Sequence, residues 1–300
     1  MGAKQSKQDM AICLVVFNPS KTKRILMNYF YAKNQFDLQK LPVFTIELVY
    51  EGQTPEIPDA FHVHSNSIMF HKENLYRILE TKIPKKYKKL AFLDCDVIFS
   101  DPRWYSKTSA LLDEYDVVQP FENAHWMDLT YTQIELSRPS VVEMKSHTWD
   151  FKYHPGFAWC MTREWYNYSG FFDYAVSGSG DTLSSAAWLK KKFPANFQSL
   201  PKSLKHQYSK LSNKSCPKIT YLKDTDIFHL YHGSRDNRQY SVRHKFLDIN
   251  HPIEELLSPN YEGVFQWNHP EKWNPIFLDY FEKRQDDSLS IDLVTVSLTS

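Results

Sequence analysis

The sequence predicts an α/β protein with a mainly parallel central sheet flanked by helices. Over the first 120 or so residues, apolar segments of strand length alternate with helical segments, which is the pattern of βαβ units. One apolar segment, residues 89–93, is followed by two aspartates, Asp94 and Asp96. Open α/β sheets bind ligands beyond the carboxyl ends of their strands, so this pair marks the predicted position of a site.

The predicted elements follow in order along the chain. Residues 11–17 form a continuous apolar run that stops at Asn18-Pro19, and Ser20 is then the expected N-cap of a helix through Ala32. The remaining predicted strands are residues 43–50, 89–93, 116–119 and 153–161, and the remaining predicted helices are residues 73–83 and 181–192. No glycine-rich phosphate loop follows the first strand, so bound phosphates would need a metal ion and cationic side chains.

Composition excludes some classes of partner. The 36 basic residues nearly balance the 35 acidic ones, and a net charge of +1 gives no overall field that would attract nucleic acid. No run approaches the roughly 18 consecutive apolar residues of a membrane span, and the first residues lack an apolar signal-peptide core. The sequence therefore predicts a cytoplasmic protein.

The first six residues, Met-Gly-Ala-Lys-Gln-Ser, fit the pattern for myristoylation of Gly2. A single myristoyl chain binds a bilayer only marginally, so this pattern predicts at most weak, peripheral and reversible membrane attachment. A polar amino terminus with a chance glycine is the alternative interpretation.

Asp94 and Asp96 are suited to a hard divalent cation. Side chains two positions apart in an extended chain point to the same side, and two carboxylates repel each other unless a cation lies between them. Mg²⁺ and Mn²⁺ are usually held by one or two protein carboxylates, with substrate phosphates among the other ligands. The pair predicts a cation shared with a phosphorylated substrate, although aspartates are also common in ordinary turns.

Two later motifs carry further candidate residues. His229 and His232 lie three residues apart beside Gly233, which makes them better metal-ligand candidates than a lone histidine, and imidazole shifts the preference toward Mn²⁺. Asp181 follows Gly178-Ser179-Gly180 at the start of a predicted helix, where glycines permit close approach of a ligand. An ordinary helix cap at Asp181 is the alternative.

Together these residues resemble nucleotide-sugar-dependent glycosyltransferases of the GT-A fold. The Asp94-Cys95-Asp96 element looks like the metal site of that fold, and Lys72-Glu73 is similar to a pair found in glycosyltransferases of large DNA viruses and of bacteria. Residues 154–181 and 229–236 are similar to segments of β-1,4-galactosyltransferase-like enzymes. The similarity spans residues 11–267.

The resemblance implies a GT-A fold with a Rossmann-like sheet and a particular domain organisation. Residues 1–10 would be a flexible amino terminus, and residues 11–275 a single catalytic domain. Within that domain, residues 11–120 would bind the nucleotide sugar and residues 121–275 the acceptor. Residues 276–300 would form a C-terminal tail.

The resemblance also implies roles for individual residues. Asp181 would be the general base. Asp96 and His232 would bind the metal ion, with Asp94 and His229 as further candidates, although His229 differs from the residue that the related enzymes carry. The donor would contact Asp94, Lys72 and Arg235, and the acceptor would contact Trp159 and Gly180.

The implied reaction moves a sugar from a nucleoside diphosphate donor, with UDP favoured, to a hydroxyl of a glycan or another acceptor. The expected cofactor is Mn²⁺ or Mg²⁺, and the expected stereochemical outcome is inversion. A cytosolic glycosyltransferase without a secretion signal fits a viral or bacterial source better than an animal Golgi enzyme, with the host cytoplasm or the virion as the location if it is viral. Two other classes remain open. A metal-dependent phosphotransferase or nucleotidyltransferase could use the same carboxylates, and a non-catalytic glycan-binding protein could retain the same fold.

Overall fold

A computed structural model describes residues 8–197, 199–240, 243–247 and 251–287. The myristoylation pattern at residues 1–6 lies outside the described residues, as do residues 288–300 of the predicted tail. None of the described helices is both long enough and apolar enough to span a bilayer.

The chain contributes thirteen strands and eight α-helices within the described ranges. The first half contains β1 (Met10–Phe17), α1 (Lys23–Leu38), β2 (Val43–Tyr50), β3 (Phe61–Ser65), α2 (Lys72–Lys82), β4 (Lys89–Leu93), β5 (Val97–Phe99), α3 (Trp104–Leu111), β6 (Val117–Gln119), β7 (Asn123–Met127) and β8 (Ile134–Pro139). The second half contains β9 (Ala158–Thr162), α4 (Arg163–Tyr168), α5 (Gly180–Trp188), α6 (Lys202–Lys214), β10 (Ile219–Tyr221), β11 (Asp226–His229), α7 (Ile253–Leu256), β12 (Leu257–Pro259), β13 (Phe265–Trp267) and α8 (Pro270–Lys283).

A seven-stranded sheet forms the centre of the molecule, in the order β10-β6-β9-β4-β1-β2-β3. All neighbouring strands pair in parallel except β9, which is antiparallel to both β4 and β6. Strand β4 is buried along its whole length, as expected for a strand covered on both faces. The predicted α/β class with a mainly parallel central sheet is confirmed.

A second sheet, in the order β5-β11-β7-β8, brings distant parts of the sequence together. Strand β11 pairs antiparallel with β5, and this register places His229 opposite Val97. The backbone N–H of Leu230 donates a 2.9 Å hydrogen bond to the carbonyl oxygen of Asp96. This sheet therefore carries the predicted histidine motif to the residues that follow β4.

Several predicted boundaries differ from the structure. Helix α1 begins at Lys23 and not directly after Ser20, because the side chain of Asn18 accepts the Thr22 N–H at 2.9 Å and holds the preceding turn. Strand β9 begins at Ala158, because Phe157 has a positive φ of 68° that ends the extended chain before it. Helix α5 ends at Trp188, and Lys190 beyond it has a φ of 54°.

The predicted tail at residues 276–300 is wrong for the part of it that the structure describes. Helix α8 crosses position 276 and runs to Lys283, and it buries Phe277, Tyr280 and Phe281. The polar residues Arg284 and Asp286 beyond the helix are also buried. Their burial depends on ion pairs and not on an apolar face, and for that reason hydrophobic periodicity gives no sign of it.

Candidate active site

A cleft of about 570 Å³ opens beyond the carboxyl ends of β1 and β4. Its walls come from the turn after β4, the start of α2, the start of α5 and the segment after β11. The predicted site residues that line it are Lys72, Asp94, Asp96, Gly180, Asp181, His229, His232 and Arg235. The fold thus brings into one cavity residues that are spread over more than half of the sequence.

Asp96, His229 and His232 form the cluster most suited to a metal ion. Nε2 of His232 lies 2.8 Å from Oδ2 of Asp96, Nε2 of His229 lies 3.6 Å from the same oxygen, and the two Nε2 atoms are 3.1 Å apart. All three residues are buried. Neighbouring ligands of an octahedral ion with bonds of about 2.1 Å are separated by about 3 Å, which is close to these spacings.

The chemistry of the three side chains also fits a cation. Burial lowers the pKa of His229 to about 3, against the attraction of Asp96, so its imidazole is neutral and has a free lone pair. Burial would raise the pKa of Asp96, but the polar and charged groups around it, His229, His232 and Arg238, hold it well below its usual range. Oδ1 of Asp96 is buried and has no hydrogen-bond partner among the described residues. An unpaired buried carboxylate oxygen is costly unless a ligand occupies the position it faces.

Asp94 lies outside this cluster and pairs with Lys72. Nζ of Lys72 is 2.9 Å from Oδ1 of Asp94 and 4.0 Å from Oδ2 of Asp181. Burial would lower the pKa of Lys72, but Asp94 and Asp181 raise it above its ordinary value, so the ammonium is charged. The structure therefore places Asp94 and Lys72 beside the cation cluster, as parts of a second group of charges.

Asp181 stands at the beginning of α5 in this second group. Its Oδ1 accepts a 2.7 Å hydrogen bond from the Thr182 N–H, which fixes the carboxylate at the helix amino end. A Cβ atom at Gly156 would overlap Oδ2 of Asp181. Because Gly156 has no side chain, the carboxylate of Asp181 fits in the cleft.

Glu73 is a cleft residue to which sequence reasoning gave no role, although the Lys72-Glu73 pair was a motif. Its carboxylate packs against Gly180, where an added Cβ would overlap it. Burial raises the pKa of Glu73 to about 7, with Lys72 opposing this shift and Asp181 adding to it. Gly180 is therefore required for packing against a buried carboxyl group, whether or not it also contacts an acceptor.

Guanidinium groups surround the cation cluster. Arg235 and Arg138 both lie over the ring of Trp126, at 5.4 and 5.6 Å from its centroid. Burial lowers the pKa of Arg138, and the nearby charge of Arg235 lowers it further. Nη2 of Arg238 donates to the carbonyl oxygen of His232 at 3.0 Å and lies 2.8 Å from Nε2 of that ring. This cationic wall can attract phosphate groups.

The predicted acceptor contact of Trp159 is not supported by the structure. Trp159 lies in strand β9, is 3% exposed and does not line the cleft. Its indole packs edge-on against Trp188, and its Nε1 donates to the carbonyl oxygen of Pro155 at 2.8 Å. The ring is a core residue, and a polar partner inside the protein satisfies its N–H.

No protein-family model matches the chain, and no curated protein matches it significantly. Solved structures do match. They include the catalytic domain of Drosophila β1,4-galactosyltransferase 7 in complex with xylobiose (10% identity, 86% of this chain and 92% of that chain, TM-score 0.37). They also include GalNAc-T7 with UDP, GalNAc and Mn²⁺ (10% identity, 74% and 43% covered, TM-score 0.42), and a glycosyltransferase involved in glycosylation of the major capsid of PBCV-1 (8% identity, 79% and 99% covered, TM-score 0.31).

Solved structures of glycosyltransferases are therefore among those that match this chain. At these identities and TM-scores, the similarity carries no argument about the donor, the metal ion or the mechanism. Those questions depend on the geometry of the cleft alone.

Proposed function

We propose that this protein is a metal-dependent glycosyltransferase that moves a sugar from a nucleoside diphosphate donor to a hydroxyl group of a glycan or another acceptor. UDP is the favoured nucleotide, and the favoured outcome is inversion at the anomeric carbon. The observation that supports this proposal is the meeting of a cation cluster, a cationic wall and a separate carboxylate in one cleft. In the proposed reaction, the cation and the cationic wall would bind the diphosphate, and the carboxylate would accept the acceptor's proton.

Asp96, His229 and His232 would hold the cation, with Mn²⁺ favoured over Mg²⁺ because two of the three ligands are imidazoles. When bound, the ion supplies positive charge that offsets the negative charge developing on the leaving diphosphate. Arg238 is placed beside the cation cluster, and Arg235 extends the positive surface along the cleft wall. These guanidinium groups would bind phosphate oxygens and orient the donor.

Asp181 would act as the general base. The acceptor oxygen forms its bond to the anomeric carbon while the bond from that carbon to the diphosphate oxygen breaks. The hydroxyl proton passes to Oδ2 of Asp181, and the electron pair of the broken bond leaves with the diphosphate. The hydrogen bond from the Thr182 N–H holds the other oxygen of Asp181, so Oδ2 is the atom available for the proton.

Lys72 and Asp94 would organise the region between the cation cluster and the base. The ammonium of Lys72 lies between Asp94 and Asp181 and limits the repulsion between these carboxylates. Asp94 would accept hydrogen bonds from the donor's sugar or ribose hydroxyls, in keeping with its position outside the cation cluster. Gly180, at the edge of the same cavity, remains a proposed acceptor contact.

The proposal is tested by thermal unfolding with Mn²⁺ and a panel of nucleoside diphosphates and nucleotide sugars. A ligand at about 100 times its dissociation constant should stabilise the native state by roughly 2.7 kcal/mol. The stabilisation should require Mn²⁺ and should be lost in Asp96→Ala and His232→Ala. Asp279→Ala is the matched control, because Asp279 is an exposed carboxylate on α8 that pairs only with its helix neighbour Lys283 in the described structure.

Product analysis separates the alternatives. A glycosyltransferase releases the nucleoside diphosphate, whereas a nucleotidyltransferase transfers or releases a nucleoside monophosphate and does not need the sugar. A protein that unfolds cooperatively but is stabilised by no nucleotide, with or without Mn²⁺, would contradict the proposed activity and favour a non-catalytic glycan-binding role.

A further inference from the structure

The segment that follows α8, residues 284–287, lies directly against the candidate cation cluster. Oδ1 of Asp286 is 3.4 Å from Nδ1 of His232, and Oδ2 of Asp286 is 3.1 Å from Nη2 of Arg284. Asp286 is 1% exposed and Arg284 is 7% exposed. A buried carboxylate thus lies near the ring nitrogen of His232 that points away from Asp96. Nη2 of Arg238 at 2.9 Å and Nη2 of Arg284 at 3.4 Å lie beside the same nitrogen.

Gly233 makes this approach possible. It has a φ of +89°, in the left-handed region that favours glycine, and it directly follows His232. A Cβ atom at this position would lie 2.9 Å from the carbonyl oxygen of Arg284 and 3.0 Å from Oδ1 of Asp286. Glycine at position 233 therefore permits both this backbone conformation and the close contact with segment 284–287.

The same segment also contacts the beginning of α1. Asp287 accepts hydrogen bonds from the backbone N–H groups of Lys23 at 2.9 Å and Arg24 at 2.8 Å. Helix α1 has no acidic residue in its own first turn, and its N-cap residue Thr22 makes no side-chain cap hydrogen bond. Asp287 therefore supplies the anionic group that a helix amino terminus favours.

We propose that Asp286 is a positioning residue for His232 and that segment 284–287 couples cation binding to the docking of this segment on α1. This inference depends on the cation site of the proposed function. In this role the carboxylate of Asp286 would accept the Nδ1–H of His232, and the lone pair of Nε2 would then be directed at the cation position beside Asp96. Such partners fix the tautomer and ring orientation of histidine ligands.

The charges around Asp286 support this role. The carboxylate of Asp286 is buried beside the guanidinium group of Arg284, whose Nη2 lies 3.1 Å from its Oδ2, so its charge has a partner inside the protein. An ionised acceptor beside Nδ1 makes the imidazole a stronger ligand through Nε2. The isosteric amide in Asp286→Asn keeps the shape of the side chain and removes this charge.

The coupling follows from the contacts of two adjacent residues in the segment. Asp286 contacts a candidate metal ligand, and its neighbour Asp287 contacts α1, so a cation that stabilises His232 in this orientation should also stabilise the docked segment. The linkage must be reciprocal, because a coupling free energy acts equally on both equilibria. Loss of the Asp286 carboxylate should therefore weaken cation binding and also remove the effect of the cation on α1.

The experiment measures Mn²⁺ binding by the electron paramagnetic resonance signal of the free ion, with no nucleotide present. Asp286→Asn should raise the dissociation constant by a factor of about 10 to 100. Asp279→Asn, an exposed change on the preceding helix, should match the wild type, and Asp96→Asn should abolish binding. Thermal unfolding in the presence of a chelator verifies that each variant is folded before its affinity for Mn²⁺ is compared with that of the wild type.

Two spectroscopic readouts separate positioning from a general loss of structure. Nitrogen-15 spectra should show the His232 proton on Nδ1 in the Mg²⁺-bound wild type and a mixture of tautomers in Asp286→Asn. Mn²⁺ should slow amide hydrogen exchange at Lys23 and Arg24 in the wild type but not in the variant.

The outcomes distinguish this inference from the proposed function. Mn²⁺ binding in the wild type that is lost in Asp96→Asn but unchanged within twofold in Asp286→Asn would overturn the role of Asp286 and leave the cation site standing. Absence of Mn²⁺ binding in the wild type would overturn both. A preserved Nδ1–H tautomer in Asp286→Asn would also contradict the positioning role.

Discussion

His229 lies opposite Val97 in the antiparallel pairing of β11 with β5, and this pairing fixes the position of the histidine beside Asp96. The hydrogen bond from the Leu230 N–H to the Asp96 carbonyl oxygen extends the same contact by one residue. The carboxylate and the imidazoles are thus attached to neighbouring backbone segments with a defined register. A site held in this way is pre-organised, and little ordering of its ligands is required when a cation binds.

The affinity for Mn²⁺ should respond differently to removal of the charge of Asp94 and to removal of the charge of Asp96. We expect Asp94→Asn to leave the Mn²⁺ affinity within about threefold of the wild type, because Asp94 pairs with Lys72 outside the cation cluster. Asp96→Asn should abolish Mn²⁺ binding. Titration with Mn²⁺ alone measures both effects, and an equal loss of affinity in the two variants would show that Asp94 is also a ligand.

Arg238 should oppose binding of the free cation and favour binding of the cation with a diphosphate. Its Nη2 atom lies 2.8 Å from Nε2 of His232, where its positive charge repels an incoming cation. We therefore expect Arg238→Gln to tighten Mn²⁺ binding severalfold and to weaken binding of UDP in the presence of Mn²⁺. Calorimetric titrations of both ligands test this, with Arg103→Gln as a control because Arg103 is an exposed arginine. Weaker binding of both ligands would contradict the assignment.

Asp181→Asn should affect the chemical step. The amide cannot accept the acceptor proton, and loss of a general base lowers the rate by a factor of about 10² to 10⁴. Binding of the nucleotide sugar with Mn²⁺ should remain close to that of the wild type, because Asp181 is not part of the cation cluster. Turnover measured with an active donor and acceptor pair, alongside donor titration, would reveal a different role if affinity fell and turnover did not.

Glu73 should make stability depend on pH. Its pKa in the folded protein is about 7, above the ordinary value of 4.5, so between these values the folded state holds a proton that the unfolded state has released. Stability should therefore fall as pH rises from about 4.5 to 7, and the full loss should be present above pH 7.

Glu73→Gln should remove this dependence. The variant should gain stability relative to the wild type by about 2 to 3 kcal/mol at pH 8, and the gain should vanish near pH 4. Denaturant unfolding across this pH range provides the measurement. Glu271→Gln is the control, because Glu271 is 74% exposed on α8. A stability difference that does not vary with pH would show that the pKa of Glu73 is the same in the folded and unfolded states, and would contradict this prediction.

The sequence contained strong signals for the central sheet and for part of the site. Continuous apolar runs identify β1 and β4, and the aspartates after β4 lie at the sheet edge where α/β proteins bind ligands. The pairing of β11 with β5 could not be derived in the same way, because strand pairing depends on contacts between residues far apart in sequence. The grouping of His229 with Asp96 is a consequence of that pairing.

The residues missed by sequence reasoning share a physical cause. Glu73, Arg284 and Asp286 are charged residues that are buried through specific neighbours, whereas composition treats a charged residue as a surface residue. Trp159 is the opposite case, because the resemblance implied an acceptor contact for this residue, whereas its ring packs in the core. In each case three-dimensional neighbours decide the role of the residue.

The contact between Asp286 and His232 bears on how the site is completed as the protein is made. Synthesis proceeds from the amino end, so segment 284–287 leaves the ribosome after Asp96, His229 and His232 have already emerged. The central sheet can form before that point, but His232 then lacks its carboxylate partner and α1 lacks the capping contact from Asp287. A nascent chain would therefore acquire its overall shape first, and the proposed cation site would be complete only when the last of these residues is in place.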